Sequence, residues 1–478
     1  MHQKLFVGPK VRRLREARGW KLEPCATRLG VSISYLSQIE ANQRPVTARV
    51  LIAMMRVFDV DAQSLDADDD QRLIADLREA TAEWTDEAPA PSLAELKHVV
   101  TNAPNFARHY LDLHRAHRRA GERLNATDEA IALDETVAAS ALLPYEEVRD
   151  FFHYKNNYIH ALDLAAEALH DRCGFSPDLP LETALETYLR DRLKVRVRRS
   201  AAGDLMRRFD ARTRELMLNA AQPAETRSFQ MACHIAAVEL GELIEAELAV
   251  SELRSPSAVE ICRISLTNYA AGALLLPYET FRHAAQDLRH DIDLLSLRFQ
   301  TSFEQTCHRL STLQRPGARG VPFYFVRVDP AGNITKRHSA TRFQFARFSG
   351  ACPLWNVHEA FGRDGRILTQ VAEMPDGARY LCLAWGILKR SGAHGTPDRR
   401  YALGLGCEVQ YADALVYSDG VDLQGPPERI GVSCRICERD DCQQRAFPPV
   451  DRGFTVSRSE RSIVPFSLTT PKRGDVRS

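Results

Sequence analysis

Three cysteines lie within nine residues near the C-terminal end of the chain, at Cys434, Cys437 and Cys442. Cysteines at this density, in a chain with no sign of secretion, are typical ligands of zinc or of an iron–sulfur cluster. A fourth candidate, Cys407, ends the upstream run Leu-Gly-Leu-Gly-Cys. The Cys-x2-Cys spacing serves either kind of metal, and free or disulfide-paired cysteines are the structural alternative. The pattern therefore predicts a cysteine-bound metal or cluster site without fixing the metal.

The residues around this site alternate between polar and apolar side chains, as β-strands do. The alternation predicts strands over residues 321–329, 334–337, 379–387 and 400–406, with a helix at 358–361. A Pro-Ala-Gly-Asn turn separates the first two strands. Phe, Tyr and Trp are frequent here, which indicates a mainly β, ligand-binding domain.

Arginines and aromatic residues are mixed in the segment from residue 342 to 356. Arginines can clamp phosphates, and aromatic rings can stack on a base or line an acyl pocket. The residues that suit these roles are Arg342, Phe345, Arg347 and Trp355. An amphipathic edge strand is the alternative, and the residues alone do not separate the two interpretations.

The other end of the chain predicts short helices over residues 5–60. Ser32 is suited to N-cap a helix over 33–40, and Gly30 can supply the positive φ of the turn before it. Two helices joined by a glycine-containing turn form the helix-turn-helix pattern. Residues 1–66 carry eleven Lys and Arg against six Asp and Glu, a balance of +5, which suits a nucleic-acid partner.

The run from Leu29 to Val60 resembles the DNA-binding domains of XRE-type repressors. By that resemblance six residues contact double-stranded operator DNA: Ser32, Ser34, Tyr35 and Gln38 in the major groove, and Asn42 and Arg44 at phosphates. A small helical bundle with a solvated polar face is the alternative. One such domain binds DNA weakly, so we expect a homodimer or higher homo-oligomer.

Residues 67–133 form a predicted helical linker. An acidic stretch and an Ala-Pro-Ala-Pro run precede a predicted helix from Pro104 to about Leu124. The alternating charges of that helix are typical of a solvated face or of a coiled-coil arm for dimerisation.

The segment from Arg227 to Leu240 resembles the active-site helix of the ImmA/IrrE zinc peptidases. Those enzymes need two histidines one helical turn apart, with a glutamate beside the first. Aligned on the phenylalanine, this chain has Cys233 for the first histidine, His234 for the glutamate and Ala237 for the second histidine. Leu266 stands near the expected third ligand. We therefore predict a structural role for Cys233 and His234 and a catalytically inactive domain.

The whole chain has 478 residues, a length that predicts about three domains. Its formal net charge is zero. Its N-terminus lacks an apolar signal core, and no run approaches the ~18 apolar residues of a membrane span. Eleven cysteines, an odd number, fit a reducing cytoplasm better than a disulfide framework. We expect a cytoplasmic protein without membrane partners.

Taken together, the three parts resemble the short-chain fatty acyl-CoA transcriptional regulators, which include bacterial regulators of propionate and acetate metabolism. The resemblance implies that the C-terminal domain binds CoA or an acyl-CoA. It also implies a [4Fe–4S] cluster on four cysteines, with zinc as the alternative, and these map to Cys407, Cys434, Cys437 and Cys442.

The expected fold class is multidomain α+β. It comprises a helix-turn-helix domain (1–66), a helical linker or dimerisation arm (67–133), a mostly helical, degenerate ImmA/IrrE-like domain (134–315), a mainly β acyl-CoA-sensing domain (316–460) and a tail (461–478). The expected function is a non-enzymatic transcriptional regulator controlled by acyl-CoA. The alternative function is a regulatory zinc metallopeptidase with a DNA-binding head.

Overall fold

The computed structural model divides the chain into two compact units, one of residues 1–121 with 447–478 and one of residues 122–446. The structure describes residues 8–41, 43–58, 68–82, 91–114, 142–175, 179–200, 205–251, 253, 255–343, 345, 351–363, 365–390, 395, 397–449 and 453–469.

The N-terminal head of the first unit consists of four helices around a small apolar core. They are α1 (Gly8–Ala17), α2 (Leu22–Leu29), α3 (Ile33–Glu40) and α4 (Ala48–Phe58). Gly30 ends α2 at φ 66°, and the Ser32 side chain caps α3 by accepting a bond from the Tyr35 backbone. Leu36, Ile39 and Met54 are fully buried in the core. The predicted helix-turn-helix fold is confirmed.

Three more helices of this unit pack around a second, separate core. They are α5 (Asp68–Ala82), α6 (Leu93–Asn102) and α7 (residues 104–114). A capping box on Ser92 and Glu95 begins α6. The remainder of the helix predicted to reach residue 124 lies outside the described residues. A short antiparallel hairpin, β10 (Phe454–Thr455) with β11 (Ser467–Leu468), belongs to the same unit.

The second unit begins with a layer of helices. They are α8 (Leu142–Tyr154), α9 (His160–Cys173), α10 (Leu181–Asp191), α11 (Ala224–Glu239), α12 (Gly241–Ala249), α13 (Pro256–Leu275), α14 (Tyr278–Asp287), α15 (Ile292–Phe299) and α16 (Phe303–Leu310). A three-stranded sheet lies between α10 and α11, in the order β1 (Arg196–Ser200), β3 (Glu215–Asn219), β2 (Arg207–Asp210). The first and third strands pair in parallel.

A six-stranded sheet follows. In spatial order its strands are β5 (Ile334–Ser339), β4 (Tyr324–Val328), β8 (Arg399–Glu408), β7 (Arg379–Lys389), β6 (Leu368–Glu373) and β9 (Glu428–Arg429). All neighbours are antiparallel except β6 and β9. Short 3-10 helices cover Asn356–Gly362, Val409–Ala414, Val416–Ser418 and Cys434–Ile436. The four predicted strands and the short helix near residue 358 are confirmed.

The two faces of this sheet contact different partners because side chains alternate along each strand. On β8, Leu403, Leu405 and Cys407 belong to the core shared with the helices, which we call the helical face. Gly404 and Gly406 have the opposite parity and lie under a second apolar cluster, which we call the aromatic face. The sheet therefore separates the helical domain from the region of the three clustered cysteines.

No single described helix is long and apolar enough to cross a membrane. The helices α13 and α14 pass a test of length and composition only as a pair, and they are bent by 62°.

Candidate functional site

The residues predicted to contact DNA lie on α3 and next to it. Ser32 and Ser34 are exposed, while Tyr35 and Gln38 are half-buried. The Arg44 guanidinium lies 5.4 Å from the centre of the Tyr35 ring. Five of the six predicted DNA contacts are thus collected on α3 and the turn after it. The sixth, Asn42, lies outside the described residues.

A buried ion pair fixes α3 to α1. Arg15 donates to both carboxylate oxygens of Glu40 at 2.7 and 2.8 Å, and to the Trp20 carbonyl at 2.9 Å. The hydrogen bond from Arg15 to Glu40 is the main cause of the raised pKa of Arg15. Sequence reasoning missed this pair, because Glu40 is far from Arg15 in the chain. The pair is a positioning device for α3.

The middle domain keeps the helix of a zinc peptidase without its ligands. Cys233 is buried, and its thiol donates to the Asn268 side chain at 3.4 Å. Ala237 offers no donor atom, and Leu266 is fully buried in the core. A zincin site needs three ligands, and two of these three positions carry apolar side chains. The predicted loss of the peptidase site agrees with these positions.

Strand β2 covers the same region. The Phe209 ring lies 4.4 Å from the His234 ring, centre to centre. Burial, together with the nearby charges of Arg207 and Arg214, lowers the pKa of His234 to about 4. His234 is therefore held neutral beneath a strand, which suits a structural histidine better than a general base.

The three clustered cysteines line one small cavity on the far side of the sheet from the helices. A fourth cysteine joins them there, and it is Cys352. We call this the cysteine cavity; its lining includes Cys352, Cys434, Cys437, Cys442, Arg439 and Arg445. Its volume is about 10 Å³, roughly the space of one water molecule.

The structure does not bring Cys407 to this cavity. Cys407 is fully buried on the helical face, in register with Leu381 of β7. The expectation of Cys407 as fourth ligand fails because Cys407 lies on the same face of β8 as Leu403 and Leu405, so its thiol packs in the apolar core with their side chains. Cys352 precedes Pro353, and a Cys-Pro pair is a known feature of iron–sulfur ligation that could have identified it.

Donor groups surround the sulfur atoms. Burial raises the pKa of the Cys352 thiol, and the N–H groups of Gly431 and Leu354 oppose that shift by bonding to the sulfur. A Cβ atom on Gly431 would lie 2.8 Å from the Cys437 sulfur, so only glycine fits there. Close backbone approach and N–H···S bonds are features of cysteine-ligated clusters.

Arg445 organises the loop that carries the cysteines. It is 7% exposed and donates to the carbonyl oxygens of Cys434, Cys437 and Arg439. Its Nε has no hydrogen-bond partner among the described residues, and no described carboxylate lies within 4 Å of the guanidinium. A buried cation without a counter-charge suits a site that gathers thiolates.

The side chains in their present positions do not form a metal site. Among the described residues, no three His, Cys, Asp or Glu side chains lie close enough to share one metal ion. A single zinc ion needs sulfurs at about 2.3 Å from the metal, so the loop would have to rearrange to hold one.

A larger cavity of about 550 Å³ adjoins the cysteines. That size is typical of small-molecule sites. Its lining comprises Leu354, Pro426, Pro427, Glu428, Arg429, Arg439, Asp441, Cys442, Gln443 and Gln444. Arg429 is ion-paired with Asp441, and Arg439 lies 3.8 Å from Glu373. Sequence reasoning missed this cavity, because its walls come from separate loops.

The predicted acyl-CoA residues fall in a different place. Phe345 and Trp355 belong to an aromatic cluster on the aromatic face, Arg342 is half-buried beside it, and Arg347 lies outside the described residues. The cluster comprises Tyr324, Phe343, Phe345, Trp355 and Tyr380, with ring centres 4.3 to 6.4 Å apart.

Three polar atoms inside this cluster are orphaned. The hydroxyls of Tyr324 and Tyr380 and the indole N–H of Trp355 are buried, and none makes a hydrogen bond of normal geometry among the described residues. Burial raises the pKa of the Tyr324 hydroxyl well above its usual value, and close contacts with the Cys382 thiol and the Trp355 indole act on it more weakly. Unpaired buried polar groups are rare, and such sites suit a polar ligand group or water.

On the helical face, by contrast, the charged side chains around Glu304 are ion-paired. Glu304 of α16 pairs with three cations of the sheet: Arg327 at 2.9 Å, Lys336 at 2.8 Å and Lys389 at 2.5 Å. Burial alone would raise the pKa of Glu304, but the three cations together lower it well below its usual value. We call these four residues the Glu304 cluster.

A histidine pair lies beside this cluster. His308 and His338 face each other with their Nε2 atoms 3.1 Å apart. Burial lowers the pKa of His338 to about 3 and that of His308 well below its usual value. Both imidazoles are therefore neutral at pH 7, one donating to the other.

Comparison with known proteins matches three segments of the chain to family profiles. Residues 312–466 match the profile of the short-chain fatty acyl coenzyme A regulator C-terminal domain, residues 190–311 match the IrrE N-terminal-like domain, and residues 11–65 match a helix-turn-helix profile. A solved Mycobacterium tuberculosis transcriptional regulator is similar, with a TM-score of 0.65 and 45% identity. The match covers 68% of this chain and 99% of that one.

Similarity to full-length relatives extends along the chain. The propionyl-CoA carboxylase regulator of Cereibacter sphaeroides is 49% identical, covering 98% of this chain and 100% of the relative. The regulator PrpR of Mycobacterium tuberculosis is 41% identical (98% and 97% covered), and RamB of the same organism is 40% identical (97% and 98%). The chain therefore belongs to the family of short-chain fatty acyl-CoA regulators, and it is a DNA-binding transcriptional regulator.

Proposed function

We propose that this regulator senses a short-chain acyl-CoA through its C-terminal domain and controls genes of propionate or acetate metabolism. The observation that carries the proposal is the contrast within the six-stranded sheet. Its aromatic face collects buried polar atoms without hydrogen bonds of normal geometry, arginines and a 550 Å³ cavity, while the Glu304 cluster of its helical face is ion-paired. The relative named for propionyl-CoA carboxylase supports the choice of pathway.

The chemistry of an acyl-CoA suits the two neighbouring features. Its phosphates need cations, and Arg429 and Arg439 line the open cavity. A short acyl chain needs an apolar pocket with a few polar atoms, as the aromatic cluster provides. Leu354 lines the cavity and packs against that cluster, so it connects the two. Arg342, Phe345, Arg347 and Trp355 remain proposed contacts for the acyl end.

Calorimetric titration of the full-length protein tests this proposal. Propionyl-CoA, acetyl-CoA and free CoA are titrated separately into the wild type and into Arg429→Gln and Trp355→Phe variants. We expect binding of at least one acyl-CoA, and at least tenfold weaker binding by Arg429→Gln. Arg366→Gln, an exposed arginine of the same domain, is the matched control. Absence of heat from all three ligands would remove the sensor function.

We propose that the cysteine cavity holds a [4Fe–4S] cluster, with Cys352, Cys434, Cys437 and Cys442 as its ligands. A bound cluster would supply a redox- and oxygen-sensitive group beside the ligand cavity. The N–H groups at Cys352 would tune the thiolate, and Arg445 would offset the charge of the four thiolates. Since the cavity is small, the loop from residue 434 to 445 would open outward to accept the group.

Zinc is the alternative occupant of the same thiolates. Anaerobic purification separates the two, because a cluster gives iron, acid-labile sulfide and a broad visible absorbance, and zinc gives none of these. We expect Cys434→Ser to abolish all three signals. Unchanged iron and sulfide content in that variant would exclude the cluster at this site.

The peptidase alternative is not favoured, because Ala237 and Leu266 occupy positions of zinc ligands. We also propose that the regulator acts as a homodimer or higher homo-oligomer on double-stranded DNA, since a single helix-turn-helix domain binds weakly. Light scattering of the full-length protein with and without DNA tests the oligomeric state.

A further inference from the structure

Positive charge is concentrated at one place in the middle domain. Residues 190–214 contain ten Lys and Arg against three Asp and Glu, a balance of +7 in a chain whose net charge is zero. Among the described residues, this range covers the end of α10, strands β1 and β2 and the turn before β3. Neither the acyl-CoA site nor the helix-turn-helix uses them.

The arginines of β1 and β2 lie on the solvent side of the three-stranded sheet. Arg198 and Arg208 are both opposite Met217 in the register, one on each side of β3. Leu216 and Leu218, which flank Met217 in the chain, are fully buried on the opposite side. Since neighbouring strands lie about 4.8 Å apart, Arg198 and Arg208 form a row about 10 Å wide.

Arg196 extends this row along β1, two residues before Arg198 and therefore on the same face. Arg196, Arg198 and Arg208 are all exposed. We call these three residues the arginine row.

The arginine row is only weakly neutralised. Among the described residues, Arg196 and Arg208 have no carboxylate within 4 Å. Arg198 lies 3.6 Å from Glu215, with its side chain 68% exposed. Exposed pairs of this kind contribute little, so the charge of all three guanidinium groups is available to a partner.

Other arginines of the region have structural tasks. Arg199 pairs with Glu182 and Glu186, on the opposite side of β1. Arg214 donates to the carbonyl oxygens of Leu193 and Lys194. The arginine row is thus distinct from the side chains that hold the sheet to the helices.

The partner that this surface fits is a regular polyanion. Duplex DNA carries one negative charge per ~1.7 Å of its axis, and exposed arginines on a flat strand surface can follow its phosphates without reading sequence. The same chain carries a DNA-binding head, so duplex DNA is already a partner. A single head binds weakly, and additional phosphate contacts would strengthen it.

We infer that the arginine row is a second DNA-contacting surface, which binds the phosphate backbone of duplex DNA without sequence preference. This goes beyond acyl-CoA sensing. Its phosphate contacts add to those of the helix-turn-helix head, which reads the sequence. The degenerate peptidase domain would thus take part in DNA binding.

The test uses the full-length protein and a triple variant, Arg196→Gln, Arg198→Gln and Arg208→Gln. The matched control triple is Arg363→Gln, Arg366→Gln and Arg390→Gln, three exposed arginines of the C-terminal domain. Fluorescence anisotropy on a 60-base-pair random-sequence duplex gives the affinity at a series of NaCl concentrations. Circular dichroism and the unfolding midpoint check that each variant is folded.

For the arginine-row variant we expect the slope of log affinity against log salt to fall by roughly 3, one for each lost phosphate contact. Affinity at low salt should fall roughly tenfold or more. The control triple should behave as the wild type. A folded arginine-row variant with wild-type slope and affinity would overturn the inference. So would a gain in affinity, which would indicate that the row binds acidic residues of the chain itself.

Discussion

Both faces of the six-stranded sheet carry polar side chains and cysteines, but the polar groups are paired on one face and lack partners on the other. On the helical face, Glu304 is surrounded by three cations, the two histidines bond to each other, and Cys407 is packed among leucines. On the aromatic face, three buried polar atoms and Arg445 Nε lack partners among the described residues, and four cysteines meet at one cavity.

This difference indicates which face of the sheet contributes stability and which face suits ligand binding. A paired, close-packed face contributes stability and connects the sheet to the helices. A face with unpaired donors and an open cavity costs stability and suits ligand binding. Strands β4, β7 and β8 contribute side chains to both faces, so a ligand that shifted the aromatic face would move strands that also contact the helices.

The largest expected effect comes from one cysteine on each face. Cys352→Ser should abolish iron and sulfide in anaerobically purified protein, because it removes a proposed ligand. Cys407→Ser should retain both, because its thiol lies on the helical face. Iron analysis and visible spectra measure the outcome. Loss of the cluster in Cys407→Ser together with its retention in Cys352→Ser would reverse the assignment.

The second prediction concerns the Glu304 cluster. Glu304→Gln leaves three cations without their shared carboxylate and should lower the free energy of unfolding by about 3 kcal/mol. Glu245→Gln, which breaks an exposed pair with Arg263, is the control and should cost less than about 1 kcal/mol. Urea unfolding at pH 7.5 measures both. Equal losses in the two variants would mean that the helical face is no more stabilising than the surface.

The third prediction is a loss of stability in acid. His308 and His338 have lower pKa values in the folded chain than in the unfolded chain, where histidine titrates near 6.5. The folded state therefore binds fewer protons, and its stability falls as the pH drops below about 6.5. At pH 5 the loss should be on the order of 1 to 2 kcal/mol per histidine.

Urea unfolding at pH 7.5 and pH 5 tests the histidine pair. The double variant His308→Gln and His338→Gln should lose less stability between these two pH values than the wild type loses. His283→Gln, at an exposed position, is the control. A double variant with the wild-type pH dependence would assign the acid sensitivity to other groups.

The smallest expected effect is at the lost peptidase site. Cys233→Ala should change stability by about 1 kcal/mol, the cost of a small buried group, and should leave DNA binding unchanged. A zinc content that depends on Cys233, or peptidase activity in the wild type, would contradict a purely structural role.

Local signals explain which parts of the fold could be predicted. Gly30 and Ser32 mark the helix-turn-helix with interactions that span four residues or fewer, and the alternation of β4, β7 and β8 is visible along each strand. The identity of the fourth cysteine depends on which loop the sheet brings to the cavity, so spacing alone could not supply it.

One correct signal was nevertheless present in the sequence. In the run from Leu403 to Cys407, the cysteine has the parity of the two leucines and not of the two glycines. That parity predicts a thiol facing the apolar core. The Glu304 cluster and the 550 Å³ cavity had no such signal, because their members come from separate elements.

The most direct test of the sensor function is the effect of acyl-CoA on DNA affinity. A duplex selected by the full-length protein from a random-sequence library is titrated with the protein, with and without saturating propionyl-CoA or acetyl-CoA. We predict that at least one of them changes the dissociation constant by roughly tenfold, while free CoA has a smaller effect. Tight DNA binding that none of the acyl-CoA ligands alters would contradict the account.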